Sequence, residues 1–508
     1  MHILSSFTCK AYTPTLRIVK QFDYDRSTAI PEKRSALRRR LQLVRISNMT
    51  RNGDISFWHS DMGGLPPYRP ALPGDRVVDV CIIGAGYTGL WTAWYLKQAA
   101  PDLSIAIVER EFAGFGASGR NGGWLSGAFD WNRDRYAKSC SRAGVIALER
   151  AMRGTVDEII RVSQAEGIDA DIRRTDELVA ACTSAQMGRL CEQHATAMAW
   201  DVPKERMQLI GASEMTDRIR VKNAVGALVL RGVARIQPAK LVRGLAQAVE
   251  RVGVSIYEQT TVTGMSKGQV TTDHGTVRAA KIIRATEGYT ASLPGQSRDM
   301  LAMNSSIVVT EPLPDALWDQ IGWQGGELLG DAVHGYCYAQ RTAGNRIAMG
   351  GRGVPYRFGN RLDDRGQTQQ KTIAMLQAII HRLVPQVSDV KLDHAWCGVL
   401  GVPRDWCARV DYDPASGIGA AGGYVGLGVS TSNLAGQTLA DLVLERDTEL
   451  TKLPWVNRPS RKWEPEPLRW LGVHGMYQLY HMADRREARR NTAQTSRLAR
   501  IANYVSGR

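Results

Sequence analysis

The sequence predicts an α/β protein whose first folded unit contains a parallel sheet. Val77–Ile83 is apolar except for Asp79, as expected of a strand that is buried on both faces. A second apolar run, Ile105–Val108, follows after a segment long enough for one helix. Because a strand, a helix and a second strand in this order favour a parallel pair, the two runs predict a βαβ unit.

Three glycines at the end of the first run indicate what this unit binds. Gly84, Gly86 and Gly89 give the pattern G-x-G-x-x-G where the strand turns into the helix. The first glycine permits a tight turn, the second lets the backbone approach a pyrophosphate, and the third lets the helix pack on the strand. Glu109 stands twenty residues after Gly89, where a carboxylate would hold a ribose 2′-OH. The pattern predicts a site for an adenine dinucleotide without a 2′-phosphate, either FAD or NAD.

A second glycine-rich segment distinguishes between these two cofactors. Residues 114–123 read Gly-Phe-Gly-Ala-Ser-Gly-Arg-Asn-Gly-Gly, and their strong polar groups are Ser118, Arg120 and Asn121. A chain with so many glycines can pass close beneath a flat cofactor and direct several N–H donors at one point. The segment resembles the second FAD loop of the glycine/D-amino-acid oxidase superfamily, especially of the branch that includes γ-glutamylputrescine oxidase.

This resemblance implies a two-domain flavoprotein and favours FAD over NAD. The implied fold is an FAD-binding Rossmann-like domain with a parallel sheet, interleaved with an antiparallel-sheet α+β substrate domain and followed here by a helical C-terminal tail. The resemblance also implies that Arg110 and Gly122 contact the cofactor, together with the three polar residues of the second loop.

Later segments continue the resemblance in family order. A helix is predicted from Pro238, and the strand after it, ending near Val262, abuts the adenine in the family, so that Val262 inherits this role. Residues 281–289 resemble the strand and turn that close on the cofactor, and residues 307–313 resemble the start of the substrate sheet.

The last motif is the glycine-rich turn at residues 422–429, which precedes a helical pattern. In the family the N-terminus of this helix faces the flavin pyrimidine ring, where its positive dipole end suits the negative charge of the reduced flavin. Gly426 and Gly428 are therefore further expected cofactor contacts.

The motifs predict a discontinuous domain organisation. The predicted parts are a basic, disordered extension at 1–48, an FAD-binding domain at 49–165, 234–298 and 394–446, a substrate domain at 166–233 and 299–393, and a helical tail at 447–508.

Charge is concentrated in the two ends of the chain. The formal net charge is +15, of which residues 1–48 and residues 458–508 each carry +7. The body between them is nearly neutral, so we expect no nucleic-acid partner, and residues 1–48 should be dispensable. The chain contains no apolar run of about 18 residues, so no transmembrane segment is expected. It shows no clear secretory signal, so a cytoplasmic location is expected. Apolar residues from Trp463 to Tyr480 recur at helical spacing and are expected to pack on the body.

The eight cysteines show no C-x-x-C pair and no histidine spacing typical of metal ligands, so no metal is predicted. Cys397 precedes Pro403 by six residues, roughly as the flavin-linking cysteine precedes a proline in monomeric sarcosine oxidases. The local Trp396-Cys397-Gly398 instead fits the Trp-x-Gly of family members in which FAD is not linked. We therefore predict non-covalent FAD.

Candidate substrate residues come from the strand predicted at residues 335–341. Tyr338 and Arg341 are the main candidates, with Tyr336 behind them, and Trp396 is a third because it lies near a flavin motif. An arginine would hold a carboxylate and tyrosines would surround an amine. The alternative interpretation is that the tyrosines belong to the core of the sheet and that Arg341 is exposed in a turn.

The family chemistry is hydride transfer from the carbon beside an amine nitrogen to flavin N5, followed by hydrolysis of the imine. It needs no dedicated base. Monomeric sarcosine oxidases activate oxygen with a lysine, and the corresponding residues 346–350 contain none, so the acceptor is oxygen or another oxidant and a dehydrogenase stays open. An NAD-dependent dehydrogenase and a flavin-fold nucleic-acid-associated protein are the alternative classes. The amine and the oligomeric state do not follow from the sequence.

Overall fold

Two sheets organise the computed structural model, which describes residues 50–129, 131–351, 356–490 and 494–506. The prediction for residues 1–48 lies outside the described residues. The described strands, β1 to β18 in chain order, are Arg51–Asn52, Arg76–Ile83, Ile105–Val108, Trp124–Leu125, Arg173–Ala181, Met207–Gly211, Gly226–Arg235, Ser255–Tyr257, Val262–Ser266, Gln269–Thr272, Gly275–Arg284, Leu301–Thr310, Leu328–Asp331, Cys337–Arg341, Ile347–Gly351, Leu392–Val402, Arg409–Asp413 and Ile418–Gly422.

Helices cover the faces of both sheets. The described α-helices, α1 to α12 in chain order, are Phe57–Asp61, Tyr87–Ala99, Arg133–Ser139, Arg142–Ala165, Ser184–Ala199, Ala212–Arg218, Pro238–Arg251, Asp315–Ile321, Gln370–Leu383, Gly428–Val443, Leu468–Arg490 and Arg497–Ser506.

The smaller sheet has the strand order β17-β18-β11-β2-β3-β8, with β9 and β10 added as a hairpin beside β11. Strands β18, β11, β2, β3 and β8 are parallel, which confirms the parallel sheet expected from the βαβ unit. The expectation that Val77–Ile83 is buried along its whole length holds only for the second half of β2. Val80–Ile83 are buried, whereas Val77 is 78% exposed. The strand expected to end near Val262 instead ends at Tyr257, and Val262 begins the β9 hairpin.

The larger sheet has the strand order β1-β16-β12-β15-β14-β13-β5-β7-β4, with β6 paired to β7. Its central strands are antiparallel, whereas β1 runs parallel to β16 and β13 parallel to β5. The strand predicted at residues 335–341 occurs as β14, and the expected start of the substrate sheet at residues 307–313 overlaps β12. Strands β4 and β16, from ranges predicted for the FAD-binding domain, pair within this larger sheet, so the two folded parts share strands.

Each sheet has its own apolar core. Helices α2, α4, α7 and α10 bury one core against the smaller sheet, and helices α8 and α9 bury the other against the larger one. Helix α2 packs directly on α10, which brings together the helices that follow the first and last glycine motifs.

The C-terminal segment, which includes helix α11, packs on the body through a further apolar cluster. Trp463 and Val473 are buried there, and Tyr480 is buried further along the helix. Two residues of the expected stripe, Leu468 and Leu471, are instead more than half exposed. In the part of the chain that the structure describes, no helix combines the length and the apolarity that a membrane crossing requires.

Candidate functional site

A cavity of about 920 Å³ lies between the ends of the parallel strands and one face of the larger sheet. Most of the predicted site residues line it. They are Gly84, Gly86, Glu109, Arg110, Ser118, Arg120, Asn121, Gly122, Val262, Tyr338, Gly426 and Gly428, whereas Gly89, Arg341 and Trp396 are not among the lining residues.

The first glycine loop is held by close backbone contacts. Gly84 has a φ of +105°, and a Cβ atom built on it would lie 2.7 Å from the carbonyl oxygen of Ala285. A Cβ atom on Gly89 would lie 2.1 Å from the carbonyl oxygen of Gly84, so Gly89 serves helix–strand packing rather than the cavity wall. Gly86 faces the cavity and the Ser118 hydroxyl, which would be 3.1 Å from its Cβ atom.

Glu109 directly follows β3 beside this loop. Its carboxylate accepts hydrogen bonds from the N–H of Ala85 (2.8 Å) and the N–H of Glu111 (3.0 Å). Burial raises the pKa of Glu109 above its usual value, although the two N–H donors oppose that rise. Arg110 follows it and lies over the ring of Tyr289 at 5.3 Å.

The second glycine loop is tied to the first and to the larger sheet. Ser118 Oγ accepts a hydrogen bond from the N–H of Tyr87 at the start of α2 (2.9 Å). The side-chain amide of Asn121 donates to the carbonyls of Ala117 and Ser118, and its oxygen accepts from the N–H of Gly123. These bonds hold the loop in one shape over the helix N-terminus, where an anion is favoured.

Arg120 and Trp396 stabilise this loop through hydrogen bonds to main-chain carbonyls. The Arg120 side chain is fully buried, and its guanidinium donates to main-chain carbonyls that include those of Phe115 (2.7 Å) and Asp364 (2.8 Å). Trp396 Nε1 donates to the carbonyl of Arg120 (2.9 Å). The Trp396 ring packs against Trp58, so it supports the loop from below instead of facing the cavity.

Glu287 is a residue of the cavity wall that sequence reasoning did not single out. It is half-buried with a φ of +42°, and its carboxylate accepts hydrogen bonds from the N–H groups of Gly401 (2.5 Å), Gly423 (3.0 Å) and Tyr424 (3.1 Å). Burial raises its pKa to about 7 despite these donors. One side chain therefore joins three segments, the turn after β11, the end of β16 and the turn before α10.

Tyr338 forms the opposite wall of the cavity. Its ring lies between two glycines, since a Cβ atom would come within 2.5 Å of the ring from Gly122 and within 2.2 Å of it from Gly350. The Tyr338 hydroxyl is 3.1 Å from Ser305 Oγ, and the Trp124 ring is 6.0 Å away in an edge-on arrangement. Any larger residue at either glycine would displace this tyrosine.

Arg341 lies away from the cavity, because side chains alternate between the faces of a strand. Tyr338 and Gln340 point to the cavity side of β14, where Gln340 donates to the carbonyl of Gly122. Arg341 points to the other side, donates to the carbonyl of Trp323 (3.0 Å) and to Asn345, and stacks on Trp318. The structure does not bring Arg341 and Tyr338 together as a substrate pair.

Two buried donors that line the cavity suit a cofactor. Within the described part of the chain, Trp124 Nε1 and the Tyr289 hydroxyl have no hydrogen-bond partner. Such buried polar groups are unfavourable unless something bonds them. Together with the Gly86 cradle and the helix N-termini of α2 and α10, they fit a large polar aromatic ligand such as FAD.

Cys397 is placed away from this ligand space. Its thiol is buried, donates to the carbonyl of Gln367 (3.5 Å) and is not among the lining residues, whereas the adjacent Gly398 is. Burial raises the pKa of the Cys397 thiol to about 12, so little of it is the nucleophilic thiolate.

At the far end of the cavity, a polar cluster joins the larger sheet to α11. Glu487 accepts hydrogen bonds from Arg189 (2.6 Å) and from the N–H of Ser496, and lies 3.0 Å from His334 Nε2. Burial opposes its ionisation, but these donors hold its pKa down at about 2. Ligand atoms of His334, Asp484 and Glu487 lie within 4.8 Å of one another, the spacing of a metal site, but the Arg189 guanidinium already supplies a cation there.

Comparison with known proteins supports this interpretation of the site. Residues 79–442 match the family described as FAD dependent oxidoreductase (DAO). The chain is 29% identical to the probable oxidoreductase OrdL of Rhizobium meliloti, covering 78% of this chain and 89% of that protein. It is also 29% identical to the gamma-glutamylputrescine oxidoreductase of Escherichia coli, covering 78% of this chain and 91% of that protein.

Solved structures show the same fold at low sequence identity. Glycine oxidase from Geobacillus kaustophilus superposes with a TM-score of 0.62 at 21% identity, covering 73% of this chain and 96% of the other. L-proline dehydrogenase from P. horikoshii gives a TM-score of 0.63 at 17% identity, covering 76% of this chain and 98% of the other.

The glycine cradle, the acid that follows β3 and the matched residues lead to one conclusion. The chain is an enzyme of the FAD-dependent oxidoreductase (DAO) family, and its cofactor is FAD.

Proposed function

We propose that this enzyme oxidises the C–N bond of an amine or amino acid in the cavity between the glycine loops and Tyr338. The single observation that carries the proposal is the continuity of that cavity, which runs from the dinucleotide cradle at Gly86 to an aromatic wall on the larger sheet. The names of the relatives, gamma-glutamylputrescine oxidoreductase and glycine oxidase among them, support a substrate with an oxidisable C–N bond.

Residues of the two glycine motifs would hold the FAD. Gly86 and the N-terminus of α2 would accommodate the pyrophosphate, and Glu109 would accept a ribose hydroxyl. Val262 and Arg110 line the same end of the cavity, which suits the adenine. The buried, protonated Cys397 supports non-covalent binding. When bound, FAD supplies the two-electron oxidant for the C–H bond next to the substrate nitrogen.

The protein's own contribution is orientation and exclusion of water. Tyr338 is fixed by two glycines and Ser305, so its ring and hydroxyl present a constant surface to the substrate. Glu287 fixes the turn before α10, whose N-terminal N–H groups line the cavity and favour developing negative charge. Trp124 adds an indole N–H and an aromatic edge next to Tyr338.

The electron acceptor is part of the proposal and is left as oxygen or another oxidant. No lysine is found among the described residues that line the cavity. Arg346, the first residue of the range 346–350 that lacks an oxygen-activating lysine, is paired with Asp393 (2.6 Å) and lies over Phe57. The absence of a lysine from this lining is the reason for running a dehydrogenase assay beside an oxidase assay.

The test is anaerobic reduction of the purified yellow holoenzyme by a panel of amines. The panel contains γ-glutamylputrescine, putrescine, sarcosine, glycine and L-proline, with dithionite as the positive control for reducible flavin. We expect at least one amine to bleach the flavin and Tyr338→Phe to slow that bleaching without loss of FAD. Bleaching by dithionite with no response to any amine would contradict the proposed amine oxidation. An unchanged bleaching rate in Tyr338→Phe would contradict the role of Tyr338 at the substrate.

A further inference from the structure

The cavity has a wall segment that is held from outside the family-matching region. Residues 332–336, here called the capping loop, connect β13 to β14 and line the cavity with Ala332, Val333, His334 and Tyr336. Tyr336 extends toward the turn before α10, where its hydroxyl would lie 3.9 Å from a Cβ atom on Gly426. The loop therefore spans from the larger sheet to the last glycine motif.

Three residues of helix α11 contact His334 of the capping loop. Asp484 Oδ1 accepts a hydrogen bond from the N–H of His334 (3.1 Å). Glu487 lies 3.0 Å from Nε2 of the same histidine, and the Tyr480 ring stacks on it with a centroid distance of 5.8 Å. The His334 and Glu487 side chains are only 7% and 5% exposed, so water competes little for these contacts.

Arg189 connects these contacts to helix α5, on which it lies. Its guanidinium donates to the carbonyl of Ala332 (2.6 Å) and to Glu487 (2.6 Å), so that one side chain holds both the capping loop and α11. Arg189 also lines the cavity. A buried pair of this kind fixes the position of both partners, and removal of one charge leaves the other uncompensated.

We propose that Glu487 is a positioning residue for the active site, which fixes the capping loop and Tyr336 at the substrate end of the cavity. The family match ends at residue 442, whereas α11 begins at Leu468, so a segment beyond that match would complete the substrate-binding wall. The kinetic consequence rests on the function proposed above, whereas the structural consequence does not.

The structural test uses the FAD-loaded, full-length Glu487→Gln variant, because this substitution keeps the side-chain size and removes the charge. Gln478→Ala, at an exposed position on the same helix, is the matched control. We expect amide hydrogen exchange in the peptide covering residues 331–337 to become roughly tenfold faster, the scale of losing one hydrogen bond to a charged group. We also expect acrylamide to quench the bound flavin's fluorescence more strongly.

The kinetic test uses whichever panel amine bleaches the flavin most rapidly. If Glu487 positions the loop, KM should rise severalfold in Glu487→Gln while kcat changes much less, and FAD content should stay at the wild-type level. If no amine is active, the proposed function fails, but the exchange and quenching measurements still decide the positioning role.

Three results would overturn the inference. One is unchanged exchange and quenching in Glu487→Gln. Another is an equal change in Gln478→Ala, which would mean that any alteration of α11 has this effect. The third is loss of FAD in both Glu487→Gln and the milder Asp484→Asn, which would assign the cluster to overall stability.

Discussion

Gly86 and Gly211 have nearly the same backbone conformation in different surroundings. Both residues precede a helix, with φ and ψ of −83° and −177° at Gly86 and of −82° and 178° at Gly211. A Cβ atom on Gly86 would enter the cavity 3.1 Å from Ser118 Oγ, whereas one on Gly211 would meet nothing within 4 Å. Comparing substitutions at these two glycines therefore distinguishes two effects. One is the effect on folding of a side chain before a helix, and the other is the effect on FAD binding of filling the cofactor cradle.

We predict that Gly86→Val abolishes FAD binding, because the branched side chain occupies the space that the pyrophosphate needs. Gly211→Val should retain wild-type FAD. The measurement is the ratio of flavin to protein absorbance after gel filtration. A full complement of flavin in Gly86→Val would remove this loop from the cofactor site, and equal flavin loss in both variants would assign the effect to folding.

His59 supports a pH prediction whose direction follows from its burial. Burial, with the nearby positive charges of Arg120 and Arg243, lowers its pKa from 6.5 to about 3. Its Nδ1 bonds with Ser56 Oγ (2.8 Å), and its Nε2 has no partner among the described residues. The folded state therefore favours the neutral ring, and protonation of His59 destabilises the folded state relative to the unfolded chain.

The stability that His59 contributes is complete above pH 6.5 and is lost progressively as the pH falls from 6.5 towards 3, because the unfolded chain binds the proton first. We predict that the unfolding midpoint falls less steeply with acidification in His59→Gln than in the wild-type protein. His481→Gln, at an exposed histidine, is the control. Parallel pH profiles for His59→Gln and wild-type protein would contradict the burial argument.

At the scale of elements, two helical glycines are expected to respond in opposite directions when alanine replaces them. A Cβ atom on Gly436 in α10 would lie 2.6 Å from Trp91 Cβ and 2.9 Å from the backbone nitrogen of Thr92 in α2. One on Gly154 in α4 would meet nothing within 4 Å. The close approach of α2 and α10 thus depends on Gly436, whereas Gly154 only weakens its helix.

We predict that Gly436→Ala lowers the free energy of unfolding by about 1–3 kcal/mol through overpacking. Gly154→Ala should raise it by about 0.5–1 kcal/mol, because alanine loses less backbone entropy than glycine in a helix. Urea titration followed by far-UV circular dichroism measures both. If Gly436→Ala is neutral, α2 and α10 separate easily and their contact does not fix the distance between the two glycine motifs.

Local patterns predicted the elements well and long-range placement poorly. Glycine spacing and apolar runs were sufficient for β2, α2, β3 and α10, because each depends on neighbours in the sequence. The alternation of β14 was available in the sequence and would have separated Tyr338 from Arg341, since the two differ by an odd number of positions. Residue type alone therefore does not identify a substrate pair on this strand.

Glu287 and Glu487 show what the sequence could not supply. Glu287 bonds N–H groups 114 to 137 residues away, and Glu487 meets Arg189 across 298 residues. No periodicity marks an acid whose partners are that distant, and in the sequence Glu487 simply stands among arginines. Such acids become recognisable only when the fold has brought their donors together.

At the scale of the whole molecule, the C-terminal segment supports the body from outside the matched family region. The matched family covers residues 79–442 and includes neither end. Trp463, at the start of the C-terminal segment, donates from Nε1 to the carbonyl of Val402 (2.7 Å) and packs with Leu301 and Met303. Val402 and Met303 also line the cavity, so this tryptophan supports the floor of the site from outside.

We predict that truncation at Lys462 gives an insoluble or flavin-poor protein, because it removes Trp463 and exposes the apolar cluster beneath the cavity. Deletion of residues 1–48 should leave FAD content, thermal midpoint and turnover unchanged, since this stretch is strongly basic and poor in apolar residues to bury. Trp463→Ala in the full-length chain tests the cause, and we expect it to reproduce part of the truncation through loss of about 3–5 kcal/mol. A truncated protein with wild-type FAD content and midpoint would show that the C-terminal segment is an appendage, and its apolar residues would then belong to a contact with another surface.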